Sequence, residues 1–189
     1  MSTIQPPHLA GTARHEVTYL QEEWRAAIRG NKSNDSLAAA WDLEGPFDPD
    51  ALQAAVAALV DRYESLRTAF DLGPPVRQVV HPAAPVEITN VSLPRDSTAL
   101  QALIVAEMAA PFELTRSPLW RLRLVRLAPE HHVLLMVAHH LICDGYSFAL
   151  LEFDLVELYR AAVNQQPARL PPVTMQPRHV AAHERQSRQ

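Results

Sequence analysis

The apolar run Val133-Leu134-Leu135-Met136-Val137-Ala138, followed at once by His139-His140, constrains the fold of this chain more than any other feature. Six apolar residues without alternation suit a strand covered on both faces, so the run belongs in the middle of a sheet. That strand carries imidazole into the fold. Imidazole has the side-chain pKa nearest neutrality and can take and return a proton at working pH. If the strand pattern continues through the pair, the two rings face opposite ways and cannot share one task. One ring is then structural and the other free to face substrate.

The remaining elements follow from periodicity and punctuation. Residues 1–11 read as an extended lead-in. Helices are expected over Glu16–Arg29, Pro49–Tyr63, Thr98–Ala109 and Tyr146–Asn164, where apolar residues recur at helical spacing. Asp48 before Pro49 suits an N-cap followed by proline in the first turn. Strands are expected over Ser36–Leu43, Leu66–Leu72, Val76–His81, Val86–Val91, Leu119–Leu127 and Val133–Ala138. Gly73-Pro74-Pro75 makes a hairpin of the second and third of these, and Ala128-Pro129-Glu130-His131 turns the chain before the last. The tail from Gln165, with Pro167, Pro171, Pro172 and Pro177, reads as a linker, so the core ends near Val163. The order implies an α+β fold, an α/β sandwich of one mixed sheet covered by helices.

Composition narrows the class. The chain has 189 residues, 48% of them hydrophobic, enough for one core. Its net charge of -4 leaves no global basic field, so no nucleic-acid partner is expected. The basic residues of Arg116–Arg123 alternate with apolar ones and read as one solvated or groove-facing side of a strand. Cys143 is the only cysteine, which rules out an intrachain disulfide. No segment reaches the roughly 18 apolar residues of a membrane span. Residues 1–10 lack the basic start and apolar core of a secretory signal. A soluble cytoplasmic protein with no membrane partner is expected.

The segment His139-His140-Leu141-Ile142-Cys143-Asp144-Gly145 carries the candidate chemistry. In the functional reading His140 acts as general acid or base, or positions substrate. Asp144 either orients the imidazole or locks the loop through an ion pair with a distant arginine. Gly145 permits close backbone approach or positive φ, and its N–H at a helix start can meet a developing oxyanion. In the plainer reading the His pair ends a strand, Asp144 caps the next helix and Gly145 is a turn residue. A metal held by His139, His140 and Asp144 lacks further ligands at suitable spacing. Cys143 as a nucleophile, with His140 as its base, lacks any activating neighbour and reads better as packing. Ser147 suits a helix cap. His131 and His132 decorate the hairpin turn.

Four ordered segments resemble condensation domains of nonribosomal peptide synthetases. His139-His140-x-x-x-Asp144-Gly145 resembles the HHxxxDG signature. Asp61-Arg62-Tyr63-Glu64-Ser65-Leu66-Arg67-Thr68-Ala69-Phe70 resembles RHExLRTxF, with Tyr63 where His is usual. Pro111-Phe112-Glu113-Leu114 with Pro118-Leu119-Trp120-Arg121 resembles PFDL…PLxR. Tyr19-Leu20-Gln21-Glu22-Glu23-Trp24 is a looser match to AQxRLW. The resemblance implies one chloramphenicol-acetyltransferase-like lobe over 1–164, the N-terminal lobe of such a domain, with 165–189 leading toward an absent second lobe. It implies an acyltransferase that joins a carrier-tethered donor thioester to an acceptor amine, and a lone lobe without its own activity. By the resemblance, His140 and Gly145 are catalytic and His139 is structural. Asp144 pairs with an arginine, Arg62 or Arg67, and holds the loop. Carrier proteins and the second lobe are the implied partners. Phosphopantetheine comes with the carriers, and no metal or other cofactor is bound directly. The alternatives are a carrier-docking or partner-docking module without catalysis, and an oligomeric acyltransferase of the same superfamily.

Overall fold

The computed structural model describes residues 12–27, 30–95 and 97–187. The expected lead-in and residues 28–29 at the end of the first expected helix lie outside them. The main sheet has the order β3-β9-β8-β6, formed by β3 (Ser36–Glu44), β9 (His131–His139), β8 (Trp120–Ala128) and β6 (Thr89–Ser92). β9 runs antiparallel to both neighbours, with Ser36 opposite His139 on one side and Trp120 opposite Ala138 on the other. β6 lies parallel to β8, so the sheet is mixed. Every residue of Val133–Ala138 is buried, as expected for a strand covered on both faces.

Two helices cover one face. α2 (Pro49–Arg62) starts where Asp48 accepts the N–H groups of Asp50 and Ala51. It packs against α4 (Gly145–Val163), and both rest on Trp41, Trp120, Leu122 and Met136 of the sheet. α3 (Ser97–Ala109) packs against β3 and β9. The basic side of β8 is groove-facing, as expected: Arg121 and Arg123 line a groove with His81 and Pro82, and both also reach α3. Arg123 forms an ion pair with Glu107 at 2.7 Å. Arg121 lies 3.8 Å over the Phe112 ring and donates to the carbonyls of Glu107, Ala110 and Pro111. A guanidinium at those carbonyls satisfies a helix C-terminus and complements its dipole.

A second sheet has the order β1-β5-β4, with β1 (Ala13–Glu16), β5 (Arg77–Val80) and β4 (Thr68–Asp71). The expected hairpin is its β4–β5 pair. A two-residue ribbon joins β2 (Lys32–Ser33) to β7 (Phe112–Glu113). α1 (Tyr19–Ala27) follows β1.

The tail departs from the expected linker. Residues 166–176 form neither helix nor strand, but α5 (Pro177–Gln186) is a helix that returns to the body. Ala181 is fully buried, the Glu184 carboxylate accepts the Tyr19 N–H at 2.8 Å, and Arg185 pairs with Glu22 at 2.7 Å. Gln176 caps α5 and also bonds the Glu64 N–H and the Arg62 carbonyl. The core therefore extends past Val163. No helix among the described residues is long and apolar enough to cross a membrane.

Candidate functional site

β9 ends at His139, so His140 is already in the turn, and the two rings sit in different surroundings. His139 is fully buried, with Phe112 edge-on at 6.2 Å. Its Nδ1 accepts the Leu141 N–H at 3.0 Å, so the neutral ring carries its proton on Nε2. Burial pushes its pKa down to about 4, with His140 adding to the effect and Asp35 opposing it. His139 is therefore a neutral element of the turn. Its Nε2 is buried without a partner.

His140 lies just beyond the strand and is half-buried. Its backbone N–H donates to the Asp35 carbonyl at 2.9 Å. The ring stacks on Trp24 of α1, with centroids 4.1 Å apart and planes 20° apart. Neither ring nitrogen has a hydrogen bond within the described residues. The ring borders a groove of about 410 Å³ between α1, the His loop and the approach to α5, where Leu20, Gln21 and Met175 also contribute. Gln21 fixes the loop by donating from Nε2 to the Leu141 carbonyl.

Asp144 is the N-cap of α4. Its Oδ1 accepts both the N–H and the hydroxyl of Ser147, at 2.7 and 2.6 Å, while its own N–H donates to Ser147 Oγ. These Ser147 hydrogen bonds hold its carboxyl below the usual carboxylate range. Cys143 is buried, and burial pushes its thiol up to about 12, which removes the thiolate a nucleophile needs. Gly145 opens α4 without positive φ, and a Cβ there would meet nothing within 4 Å. Its backbone conformation therefore does not demand glycine, contrary to one expectation. The ground before it is open.

The expected pairing of Asp144 with Arg62 or Arg67 does not form. Arg62, at the end of α2, meets α4 at Asp154, with Nε 2.7 Å from Oδ2. Ten residues of helix separate Asp144 from Asp154, about 15 Å along the axis. Arg67 donates to the His81 carbonyl and lies 3.9 Å from Glu64. Tyr63 donates its hydroxyl to the same Asp154 oxygen at 2.6 Å. Burial first, and then the Asp154 carboxylate, push the Tyr63 phenol up, so it remains a donor.

Sequence reasoning missed Asp154, which sits within a long helix and has no motif. It also missed Gln21 and Trp24 as partners of the His loop. Their only signal was the loose match around Tyr19–Trp24. His131 and His132 lie within β9 and not in the turn. His131 bonds Asp42, and His132 packs near Phe47. Among the described residues, no three His, Cys, Asp or Glu side chains converge as a metal site would need.

Known proteins resemble the chain at both levels. A nonribosomal peptide synthetase of Aspergillus flavus, agiA, is 40% identical over 153 residues, which are 78% of this chain and 2% of that protein. Tyrocidine synthase 3 of Brevibacillus parabrevis is 32% identical over 161 residues, 83% of this chain and 2% of that protein. The X-domain from teicoplanin biosynthesis superposes with a TM-score of 0.81 at 29% identity, covering 97% of this chain and 39% of that one. The first condensation domain of the CDA synthetase shares the fold, with a TM-score of 0.80 at 22% identity over 93% of this chain and 47% of that one. The chain thus spans a few per cent of these synthetases and less than half of these solved structures. The family model for the condensation domain matches residues 25–189, and the chain belongs to that family.

Proposed function

We propose that this chain is the N-terminal lobe of a peptide-bond-forming condensation domain and acts with a second lobe. The donor is an acyl thioester on the phosphopantetheine of one carrier protein, and the acceptor is an amine on another. The amine nitrogen attacks the thioester carbonyl, the C–N bond forms, and the C–S bond breaks to release the carrier thiol. His140 holds the amine in position, accepts its proton through a free ring nitrogen and passes that proton to the departing sulfur. The open ground before Gly145 admits the thioester carbonyl. The Gly145 N–H, in the first turn of α4, faces the charge that develops on its oxygen. The reaction needs no metal or nucleotide.

One observation carries this reading. The chain buries one imidazole of an adjacent pair as a neutral strut and presents the other, with both nitrogens unengaged, to a groove. The outer face of α4 supports the pairing with a second lobe. Tyr146, Phe153 and Val156 are 81%, 66% and 63% exposed there, an apolar stripe that suits cover by further polypeptide. The test is amide formation from loaded carriers by the polypeptide that joins this chain to the rest of its domain. His140→Ala lowers turnover by about 10²–10⁴-fold. Undiminished turnover refutes the role given to His140.

A further inference from the structure

We infer that Trp24 is the positioning residue for the His140 imidazole. The inference rests on the proposed role of His140 and adds what holds that ring in place. The backbone of His140 is fixed by its N–H bond to Asp35, but that leaves χ1 and χ2 undetermined. The obvious orienting group, the Asp144 carboxylate, is occupied by the Ser147 N–H and hydroxyl. The described residues offer no other hydrogen bond to the ring. What remains is the Trp24 indole, stacked 4.1 Å away and nearly parallel.

A stack has a property that a hydrogen bond lacks. A carboxylate or carbonyl that fixed the ring would occupy one of its nitrogens. An aromatic face fixes the ring plane and leaves both nitrogens at the edge, open to substrate. The surrounding structure holds the indole in turn. Thr18 and Gln21 cap the start of α1 reciprocally, and Gln21 reaches the Leu141 carbonyl on the same loop as His140. α5 secures the other side. Glu184 accepts the Tyr19 N–H, and Arg185 pairs with Glu22 while lying 4.5 Å over the Tyr19 ring. Trp24 thus reaches His140 from a helix tied to both the catalytic loop and the C-terminal helix.

The experiment has two arms. In the full chain, NMR places the His140 ring protons in the shielding cone of the indole. Trp24→Leu moves them downfield, and Trp24→Phe retains most of the shielding. In amide formation by the polypeptide joining this chain to the rest of its domain, Trp24→Leu lowers kcat about 10- to 100-fold with little change in the KM for loaded acceptor. Trp24→Phe restores most of the loss. Added to His140→Ala, Trp24→Leu costs nothing further, because both act through one ring. A loss that multiplies with that of His140→Ala overturns the inference, as does unchanged kcat or an unmoved ring resonance. Full turnover by His140→Ala alone defeats the catalytic reading and the positioning role with it, while the ring-proton shift still reports the stack independently.

Discussion

Asp144 and Asp154 stand on the same helix and do different work. Asp144 belongs to the signature, is exposed, and spends its carboxylate on the first turn of its own helix. Asp154 belongs to no motif, is 2% exposed, and binds α2 to α4 through Arg62 and Tyr63. The carboxylate with the motif shapes a loop. The one without it joins two helices. Membership of the motif therefore says little about which carboxylate holds the fold together.

Breaking each carboxylate sharpens the contrast. Asp154→Ala leaves the Arg62 guanidinium, whose side chain is only 18% exposed, without its counter-charge. Removing one partner of a fully buried pair costs about 3–5 kcal/mol, and because Arg62 keeps its bond to the Pro171 carbonyl the loss falls at the lower end, about 3 kcal/mol. Urea denaturation of the full chain measures it. A loss no larger than that of Asp144→Ala would mean that the two carboxylates are equivalent after all.

The next effect belongs to the buried member of the His pair. The His139 pKa in the folded chain, about 4, lies below the ordinary 6.5. Between these values the unfolded chain binds a proton that the folded chain refuses. The His139 contribution to stability is therefore flat above pH 6.5 and falls as pH drops toward 4, by on the order of 2–3 kcal/mol. His139→Leu removes the His139 share of that slope and leaves the smaller shares of His15, His81 and His132, whose pKa values burial also lowers, although it also leaves the Leu141 N–H without its acceptor. Denaturation midpoints at pH 7 and pH 4.5 distinguish the two effects, since only the slope depends on pH.

Asp144→Ala comes third. Losing an N-cap costs about 1 kcal/mol, a fraction of the loss expected at Asp154. Ser147 answers Asp144 in the same capping box, so Ser147→Ala should overlap with it and not add. Thermal unfolding of the two single variants and the double variant tests this.

These contrasts also show what was legible beforehand. β9, α2 and α4 carry their own instructions: an unbroken apolar run, a Pro after an N-cap, and a long apolar helix face. The different settings of His139 and His140 were expected from strand alternation, although β9 ends between them and the turn sets the second ring. β1 was illegible because Ala13–Glu16 is polar and mostly exposed, and it is a strand only through pairing with β5. α5 was illegible for a similar reason. Its polar sequence buries Ala181 alone among its residues, and its bonds to α1 hold it in place. The Arg62–Asp154 pair and the Trp24–His140 stack join positions far apart in the chain. A sequence names such side chains without saying which turn of one helix meets which point of another element.

The smallest expected effect on stability is the most informative about function. Gly145 has no positive φ, and the space beside it is empty, so Gly145→Ala introduces neither strain nor a clash. At the first position of a helix the added methyl also reduces the freedom of the unfolded chain, so stability should change by no more than about 0.5 kcal/mol, toward stabilisation if at all. Asp144→Ala beside it costs more. If amide formation nonetheless falls when Gly145 gains a methyl, the fold has no use for that empty space and the reaction does. A substrate carbonyl approaching the start of α4 would then meet the new methyl, and turnover would fall without any loss of stability. Equal turnover in Gly145→Ala and the parent domain would place the thioester elsewhere in the groove and leave His140 as the only part of the signature that touches the reaction.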